Sequence, residues 1–397
     1  MKKLLIFCFV AGWLANPVFA TDKPEIRWYG FLKSDFFVDT RDVVAARQGQ
    51  FYLYPQPQSL NAAGDDLNEN FSFHFLAIQT RLGLEVKGPY AFGAQSRALI
   101  EGAFFGNIES DINGFRLRHA FVEFNWDDTH RLMLGQFWHP LFVETVVPGV
   151  VSFNTGAPFK PFARNPQIRY TRTQGSVDII TAAMSQIDFV SQGGTSDLRF
   201  SGIPNLHSQI RFNRADFHAG LGVDWKRLRP NLISDVPNAN QPSVSSLAVT
   251  AFGRYQTGKM RFLTQHTYGG NLFDHLMLGG YALIDSQSPE LTDISVMSSW
   301  LDYEYGSDFS VGLFAGFTYN LGTTEDVNLA FSGPRGANIA YINRIAPRVQ
   351  WQSGPARLSL EFEATTAAYG TPDNRLSISD EKAVTNYRLL FAAWYFF

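Results

Sequence analysis

Polar and charged side chains recur at every second position in several short segments of this 397-residue chain. Arg116 and Arg118 form one such pair, and Gln209 with Arg211 forms another. Side chains at alternate positions share one face of a strand. A guanidinium group stays charged and binds a carboxylate or a phosphate through two parallel hydrogen bonds. If arginines at this spacing lined an enclosed space, they would concentrate small anions there and repel cations.

The elements that would carry these side chains are strands, and the last one is the most distinctive. In residues 387–397, one face carries only apolar and aromatic side chains and ends on Tyr395 and Phe397, whereas the other face begins with Arg388. An apolar face with an aromatic tip is typical of a strand that crosses a bilayer. Only a closed barrel can span a membrane with strands, because closure pairs every backbone group. The last strand of a soluble sandwich is the alternative.

The N-terminus predicts export. Lys2 and Lys3 precede an apolar run over residues 4–15, and Val18-Phe19-Ala20 places small residues where a signal peptidase reads. The run is too short for an uncleaved anchor, which needs about 20 apolar residues. We therefore expect residues 1–20 to be a cleaved signal peptide.

The rest of the chain, residues 21–397, is predicted to be a single barrel domain. Cys8, the one cysteine, lies in the signal, which excludes disulfides, zinc–thiolate sites and cysteine catalysis after cleavage. The mature part has 31 basic and 36 acidic residues, a net charge of −5. This balance argues against nucleic acid as a partner. The aromatic terminal strand indicates the outer membrane of a Gram-negative bacterium, with outer-membrane lipids around the barrel.

Turn and loop signals give the strand count. Short polar turns are expected at Lys87-Gly88-Pro89, Asp127-Asp128-Thr129, Thr173-Gln174-Gly175, Arg214-Ala215-Asp216, Thr257-Gly258-Lys259, Gly306-Ser307 and Ser353-Gly354-Pro355. Longer loops rich in Gly, Pro, Asn and Asp are expected at 41–70, 106–114, 139–164, 185–204, 227–243, 270–290, 321–337 and 369–383. These connections predict an all-β fold, a 16-stranded antiparallel transmembrane β-barrel with long extracellular loops and both termini periplasmic.

One apolar segment does not fit the count. Residues 276–284 could form a strand of their own, but one extra strand would break the even parity that a single-chain barrel requires. We place this segment in the sixth loop, as a small hairpin or a buried lid.

In each strand, alternate side chains face opposite sides of the wall. If the apolar set faces lipid, the other set must face the lumen. In the second strand this rule directs Leu76, Ile78, Leu82, Leu84 and Val86 outward and Gln79, Arg81 and Glu85 inward. In later strands it directs inward Arg97, Glu101, Gln167, Arg169, Gln209, Arg211, Arg254, Arg261, Arg344, Arg348, Arg357, Glu361, Glu363 and Arg388. Acidic residues concentrate in the expected loops: Asp65, Asp66, Glu69, Glu109, Asp111, Asp197, Asp235, Asp285, Glu290, Glu325 and Asp326.

A lumen rich in arginine predicts small anionic solutes as cargo. The alternative is that the arginines only pair with lumen-facing glutamates and make the wall rigid. The sequence leaves both open.

The third expected loop, residues 139–164, is too rich in Val and Phe to extend into water. A loop of this composition needs a surface to pack on, and the barrel interior is the nearest one. We therefore expect it to fold into the lumen and narrow it. The residues that would then face one another near the constriction are Arg116, Arg118, His119, Arg164 and Arg169.

Three segments, residues 116–124 (RLRHAFVEF), 134–140 (LGQFWHP) and 165–170 (NPQIRY), resemble the DcaP-like outer-membrane porins. Residues 30–35 (GFLKSD) resemble the opening strand of that family. The resemblance covers the first half of the barrel. It implies homotrimers that pass small, often dicarboxylic, anions through a positively charged constriction, with Arg116, Arg118, Arg164 and Arg169 as solute contacts.

This chain differs from some members of that family before the first strand. Some members carry a periplasmic coiled coil before the barrel, whereas only residues 21–25 would precede the first strand here. A trimer would therefore rest on the barrel walls alone.

Other chemistry finds weaker support. Residues 253–259 match most of a phosphate-binding loop, but Met260 stands where Ser or Thr would bind magnesium. The histidines lack the spacing of a metal site, so no metal or cofactor is expected. A barrel enzyme would need a Ser–His pair, for which His119 with Ser96 or His207 with Ser208 are candidates. A closed, adhesin-like barrel is a further alternative.

Overall fold

The computed structural model describes residues 23–232, 237, 240–284, 290–330 and 333–397. The expected signal peptide, residues 1–20, and the acidic loop residues Asp235 and Asp285 lie outside the described residues. Cleavage after Ala20 therefore stays a prediction.

The described residues form twenty strands and one short α-helix. The strands are β1 Glu25–Asp39, β2 Val43–Ala46, β3 Phe51–Pro55, β4 Ser72–Leu76, β5 Arg81–Ala91, β6 Ala94–Ala103, β7 Arg116–Trp126, β8 His130–Trp138, β9 Arg164–Gln174, β10 Val177–Met184, β11 Asn205–Asn213, β12 Phe217–Leu228, β13 Val244–Thr257, β14 Met260–Gly270, β15 Gly280–Leu283, β16 Leu291–Gly306, β17 Phe309–Gly322, β18 Ile339–Ser353, β19 Ala356–Pro372 and β20 Ile378–Phe396. The helix α1 spans Thr195–Ser201.

These strands close into a 16-stranded antiparallel barrel. β4 and β5 pair with successive parts of β1 and together act as one barrel strand. β2 and β3 pair only with each other, and β15 pairs only with the loop end of β16. Closure joins β1 to β20, in a register that runs from Phe31 opposite Phe396 to Asp39 opposite Arg388. The predicted fold class is confirmed. We call the two ends of the barrel the turn end and the loop end.

None of the described helices is long and apolar enough to cross a membrane.

The predicted short turns agree with the structure at six of seven places, and the first is wrong. Lys87-Gly88-Pro89 lies inside β5, where the pairing register shifts between Lys87 and Tyr90. The turn is Phe92-Gly93, and both residues have positive φ. This is the backbone form that tight hairpins require. A phenylalanine rarely adopts it, so the sequence gives no signal for it.

The eighth predicted loop, residues 369–383, is also wrong. β19 continues to Pro372 and β20 begins at Ile378, so only five residues separate the two strands. The sixth loop is as predicted: residues 276–284 add no barrel strand, and β15 within them pairs beside β16.

Side-chain parity in β20 is confirmed. Leu389 and Tyr395 are about half exposed, at 47% and 51%, whereas Arg388 and Ala392 are at most 1% exposed. In the second barrel strand the prediction fails at Leu76 and Ile78.

The reason is the interruption at residues 77–80, which reverses the alternation between β4 and β5. Phe71, Phe73 and Phe75 therefore face outward, and all three are more than 65% exposed. Ile78 is buried in the interior cluster, and Leu76 packs against that cluster.

Two loops occupy the lumen. The third loop, residues 139–163, is almost wholly buried, as predicted. The β2–β3 hairpin of the first loop also lies in the lumen, with β3 buried and β2 half-buried, and this was not predicted. The Tyr369 hydroxyl donates to the Pro55 carbonyl at 2.6 Å, and Arg344 donates to the Leu53 carbonyl at 2.8 Å. The hairpin is therefore fixed to the wall at β18 and β19.

Candidate functional site

The third loop is held from within by one buried cation. Lys160 is fully buried, and its ammonium group donates to the carbonyl oxygens of Phe142 and Val146, the latter at 2.9 Å. It also donates to the Gln265 side chain of β14 at 3.3 Å. A buried ammonium group is tolerated only when its donors are satisfied. Lys160 therefore closes the loop on itself and ties it to the wall.

Wall carboxylates hold the tip of the same loop. Glu361 of β19 accepts the backbone N–H groups of Val151 and Ser152 at 2.8 and 2.9 Å. Glu363, two residues along the strand, accepts from the Asn154 side chain at 3.2 Å. A buried backbone N–H group is costly to leave unpaired, so these hydrogen bonds hold the tip against the wall. These contacts explain why the wall carries two buried glutamates on one face.

Glycine makes room for the loop against the wall. A Cβ atom added at Gly316 of β17 would lie 2.5 Å from the Phe159 ring. One added at Gly149 of the loop would lie 2.4 Å from the Arg348 guanidinium. Larger residues at either place would push the loop away from the wall.

Aromatic rings join the two inward loops. Trp138 stacks on Phe142 with ring centroids 3.7 Å apart. Phe51 of the first-loop hairpin contacts Phe153 and Phe162 of the third loop, with ring centroids at 5.3 and 5.0 Å. The first and third loops therefore pack as one apolar body inside the barrel.

Three cavities lie in series through the remaining lumen. A cavity of about 730 Å³ opens at the loop end, a middle one of about 230 Å³ follows, and one of about 500 Å³ opens at the turn end. The first and second share Arg118, Phe153 and Phe162, and the second and third share Gln79 and Arg81. The middle cavity has the smallest volume of the three, and we call it the waist.

The waist carries opposite charges on its two sides. Arg81 and Arg118 line the wall side, and Glu144 lines the side of the third loop. Glu101 lies behind the two arginines, 2.8 Å from Arg118 and 3.5 Å from Arg81. Its carboxylate also accepts from the Tyr29 hydroxyl at 3.2 Å. Glu101 thus fixes the direction of both guanidinium groups.

The five predicted constriction residues do not form one ring. Arg118 lies at the waist. Arg116 and Arg164 meet above it, in the loop-end cavity, where both contact Asp188 of the fourth loop at 3.1 and 2.6 Å.

The other two lie beside or below the waist. His119 is buried beside Arg118, 3.7 Å from Glu101, with its ring against Trp138. Arg169 lies below the waist near Glu144. Arg81, predicted only as wall, is at the waist itself.

Most of the predicted wall arginines are paired with carboxylates. This agrees with the alternative in which the arginines make the wall rigid. Arg97 contacts Glu85 at 2.6 Å, Arg211 contacts Glu144 at 3.1 Å, Arg261 contacts Glu304 at 3.0 Å, Arg344 contacts Glu363 at 3.7 Å, Arg348 contacts Asp302 at 2.7 Å, and Arg388 contacts Asp39 at 2.6 Å. Arg357 donates to Gln352 at 2.7 Å, and Arg254 is half-buried in the wall.

A buried histidine–aspartate cluster at the start of the third loop was not predicted from the sequence. His139 and His207 lie 3.3 and 3.2 Å from one oxygen of Asp224. The Leu141 backbone N–H donates to His139 Nδ1 at 3.1 Å, so in the neutral ring Nε2 carries the proton. The Nε2–H group of His139 points to Asn205 Oδ1 at 3.1 Å and to Asp224. A metal ion at this cluster would have to displace that proton. In the structure, the hydrogen bonds of the cluster hold the start of the third loop.

The two Ser–His pairs considered for an enzyme do not assemble. His119 lies opposite Glu101 and Ser96 lies opposite Phe124, so they are far apart along the β6–β7 ladder. His207 faces inward and Ser208 faces outward.

A different contact lies on the outer wall, where His266 Nδ1 is 2.9 Å from Ser299 Oγ. Its other ring nitrogen meets the Thr264 hydroxyl at 3.3 Å rather than a carboxylate. The two contacts satisfy the polar atoms of His266, Ser299 and Thr264 on the outer surface of the barrel.

Neither a protein-family model nor a curated protein matches the chain. Solved structures do. The outer membrane channel DcaP of Acinetobacter baumannii is similar with a TM-score of 0.72 and 17% identity, over 95% of this chain and 99% of that one. An anion-selective porin from Comamonas acidovorans is similar with a TM-score of 0.58 and 12% identity, over 94% and 100%. The trimer form of OmpT from Vibrio cholerae follows with a TM-score of 0.56 and 10% identity, over 95% and 100%.

These similarities establish the fold. The resemblance to DcaP-like porins that the first half of the sequence indicated is confirmed at that level.

Replacing Glu361 with Ala tests the anchoring of the third loop. The change leaves the buried N–H groups of Val151 and Ser152 unpaired, at about 1–3 kcal/mol each, so the tip should leave the wall. We expect single-channel conductance in a planar bilayer to rise, on the order of twofold, with added current noise. Glu85→Ala is the control, because Glu85 pairs with Arg27 and Arg97 and not with the loop. Equal conductance in both variants would contradict the anchoring.

Proposed function

We propose that this protein is an outer-membrane porin for passive diffusion of small hydrophilic solutes, preferably anions such as dicarboxylates. The observation that carries the proposal is the series of three cavities through the lumen, with Arg81 and Arg118 at the smallest one. Two similar structures, an outer membrane channel and an anion-selective porin, support it.

Anion preference follows from how the waist arginines are held. Glu101 orients Arg81 and Arg118 but lies behind them, so a passing solute meets guanidinium groups first. Two cations beside a narrow aqueous path raise the local anion concentration. Glu144 on the opposite side reduces this effect, so we expect a moderate preference rather than strict exclusion of cations.

The same proposal assigns the surroundings of the barrel. The loop end would face the cell exterior, and the turn end, where β1 begins and β20 ends, would face the periplasm of a Gram-negative bacterium. The outward residues of β20 and neighbouring strands would contact outer-membrane lipids.

We further propose that the protein forms a homotrimer. Phe71, Phe73 and Phe75 give the outer wall at β4 a row of strongly exposed aromatic rings, which a neighbouring barrel would cover in a trimer. One similar structure is described as a trimer form. Native mass spectrometry of the detergent-solubilised protein should give a mass of three chains. A monomer under conditions that preserve the fold would remove this part of the proposal.

Ion selectivity in a planar bilayer tests the porin function directly. Under a potassium chloride gradient, the wild-type protein should show stepwise openings and a reversal potential of the sign set by chloride. The double variant Arg81→Gln, Arg118→Gln should lower the chloride-to-potassium permeability ratio by about fivefold per charge removed, since a charge about 4 Å away in water is worth about 1 kcal/mol.

The matched control is Arg357→Gln at the turn-end cavity, which removes one cation away from the waist. It should change the ratio far less. Correctly folded protein without conductance, or with cation selectivity, would contradict the proposed function.

A further inference from the structure

Glu144 is the one acidic residue of the third loop, residues 139–163. It lines the waist, and it also lines a fourth cavity of about 200 Å³ on the turn side. Its charged lining consists of four arginines and three carboxylates: Arg97, Arg131, Arg169, Arg211, Glu123, Glu144 and Asp178. The Glu144 carboxylate therefore occupies the junction between the solute path and an arginine-rich recess.

The contact with Arg211 has the geometry of carboxylate recognition. Its two terminal nitrogens lie 3.1 and 3.3 Å from the two oxygens of Glu144, a bidentate pair. Arg169 approaches the same carboxylate at 3.9 Å. A fork of this kind together with a second guanidinium is what a dissolved carboxylate would also bind.

Both arginines are positioned without help from Glu144. Gln209 accepts from Arg211 at 3.1 and 3.2 Å, and Gln167 accepts from Arg169 at 2.9 Å. Arg211 and Arg169 are 5% and 6% exposed. The recess is therefore preorganised, and it would keep its shape if the carboxylate moved away.

The Glu144 side chain opens onto the waist and is 30% exposed. Lys160 and Glu361 bind the backbone of the third loop rather than this side chain, so the carboxylate can leave Arg211 without a shift of the loop. Burial raises the pKa of Glu144, but the Arg211 and Arg169 guanidinium groups lower it by more. The resulting pKa is therefore below the ordinary value of a glutamate. The group is thus an ionised carboxylate within the solute path.

We propose that Arg211 and Arg169 form a binding subsite for a carboxylate group of the solute, and that Glu144 is its built-in competitor. This inference rests on the proposed porin function. The recess is small, so it takes one carboxylate of a solute whose remainder stays in the waist. Each passing carboxylate displaces Glu144, and Glu144 returns as the solute leaves, which prevents tight binding from blocking the path.

Removing the competitor tests the proposal. Glu144→Gln keeps the shape and loses the charge, so added succinate should interrupt the single-channel current at about one tenth of the concentration needed for wild type. In the double variant Glu144→Gln, Arg211→Gln, this gain should disappear. Neutral succinamide should interrupt the current equally weakly in every variant.

Glu123→Gln is the matched control. Glu123 lines the same recess but pairs with Arg97, at 3.6 Å. It removes the same charge without freeing Arg211. Equal succinate affinity in Glu144→Gln and Glu123→Gln, or a parallel gain for succinamide, would overturn the subsite. Either result would be seen in a channel that still conducts and selects anions. Failure of the porin function would instead appear as absent conductance or as cation selectivity, so the two failures are distinguishable.

Discussion

Closure of the sheet between β1 and β20 is the constraint on which the other features depend. In hydrocarbon an unpaired backbone N–H or C=O group costs several kcal/mol, so a spanning sheet cannot keep an edge. Here the pairing runs from Phe31 opposite Phe396 to Asp39 opposite Arg388. Sixteen strands then enclose a lumen too wide for wall side chains alone to fill. Water and inward loops must occupy the rest.

The inward loops bring backbone polar groups into places with little water, and buried charges satisfy them. Glu361 accepts two amides of the third loop, Lys160 donates to its carbonyl oxygens, and Arg344 donates to carbonyl oxygens of both the first and third loops. The charges of the lumen therefore have two roles. Most wall arginines contact a carboxylate, and Arg81 and Arg118, which contact Glu101, also line the waist.

The sequence predicted what depends on local alternation. The strand number, six turns, the outward face of β20 and the inward third loop all follow from polarity and turn residues. Two errors come from backbone geometry that polarity does not encode: the interruption at 77–80, which turns Leu76 and Ile78 inward, and the hairpin turn at Phe92.

The organisation of the candidate site was less predictable, because it depends on contacts between distant segments. Arg116 and Arg164 were expected at the constriction, but Asp188 of the fourth loop holds both above the waist. The pairing of Glu144 with Arg211, 67 residues apart, has no local signal. The inward first-loop hairpin could have been suspected from Phe51-Tyr52-Leu53-Tyr54, which is too aromatic for an exposed loop.

Chemical modification at the waist tests whether ions pass between the arginine wall and the third loop. Thr155 lines both the waist and the turn-end cavity. Residues 21–397 contain no cysteine, so Thr155→Cys would supply a single thiol. A sulfonate-bearing thiosulfonate reagent should reduce the single-channel current, and it should react faster than its ammonium counterpart. An unchanged current after complete modification would show that ions take another path.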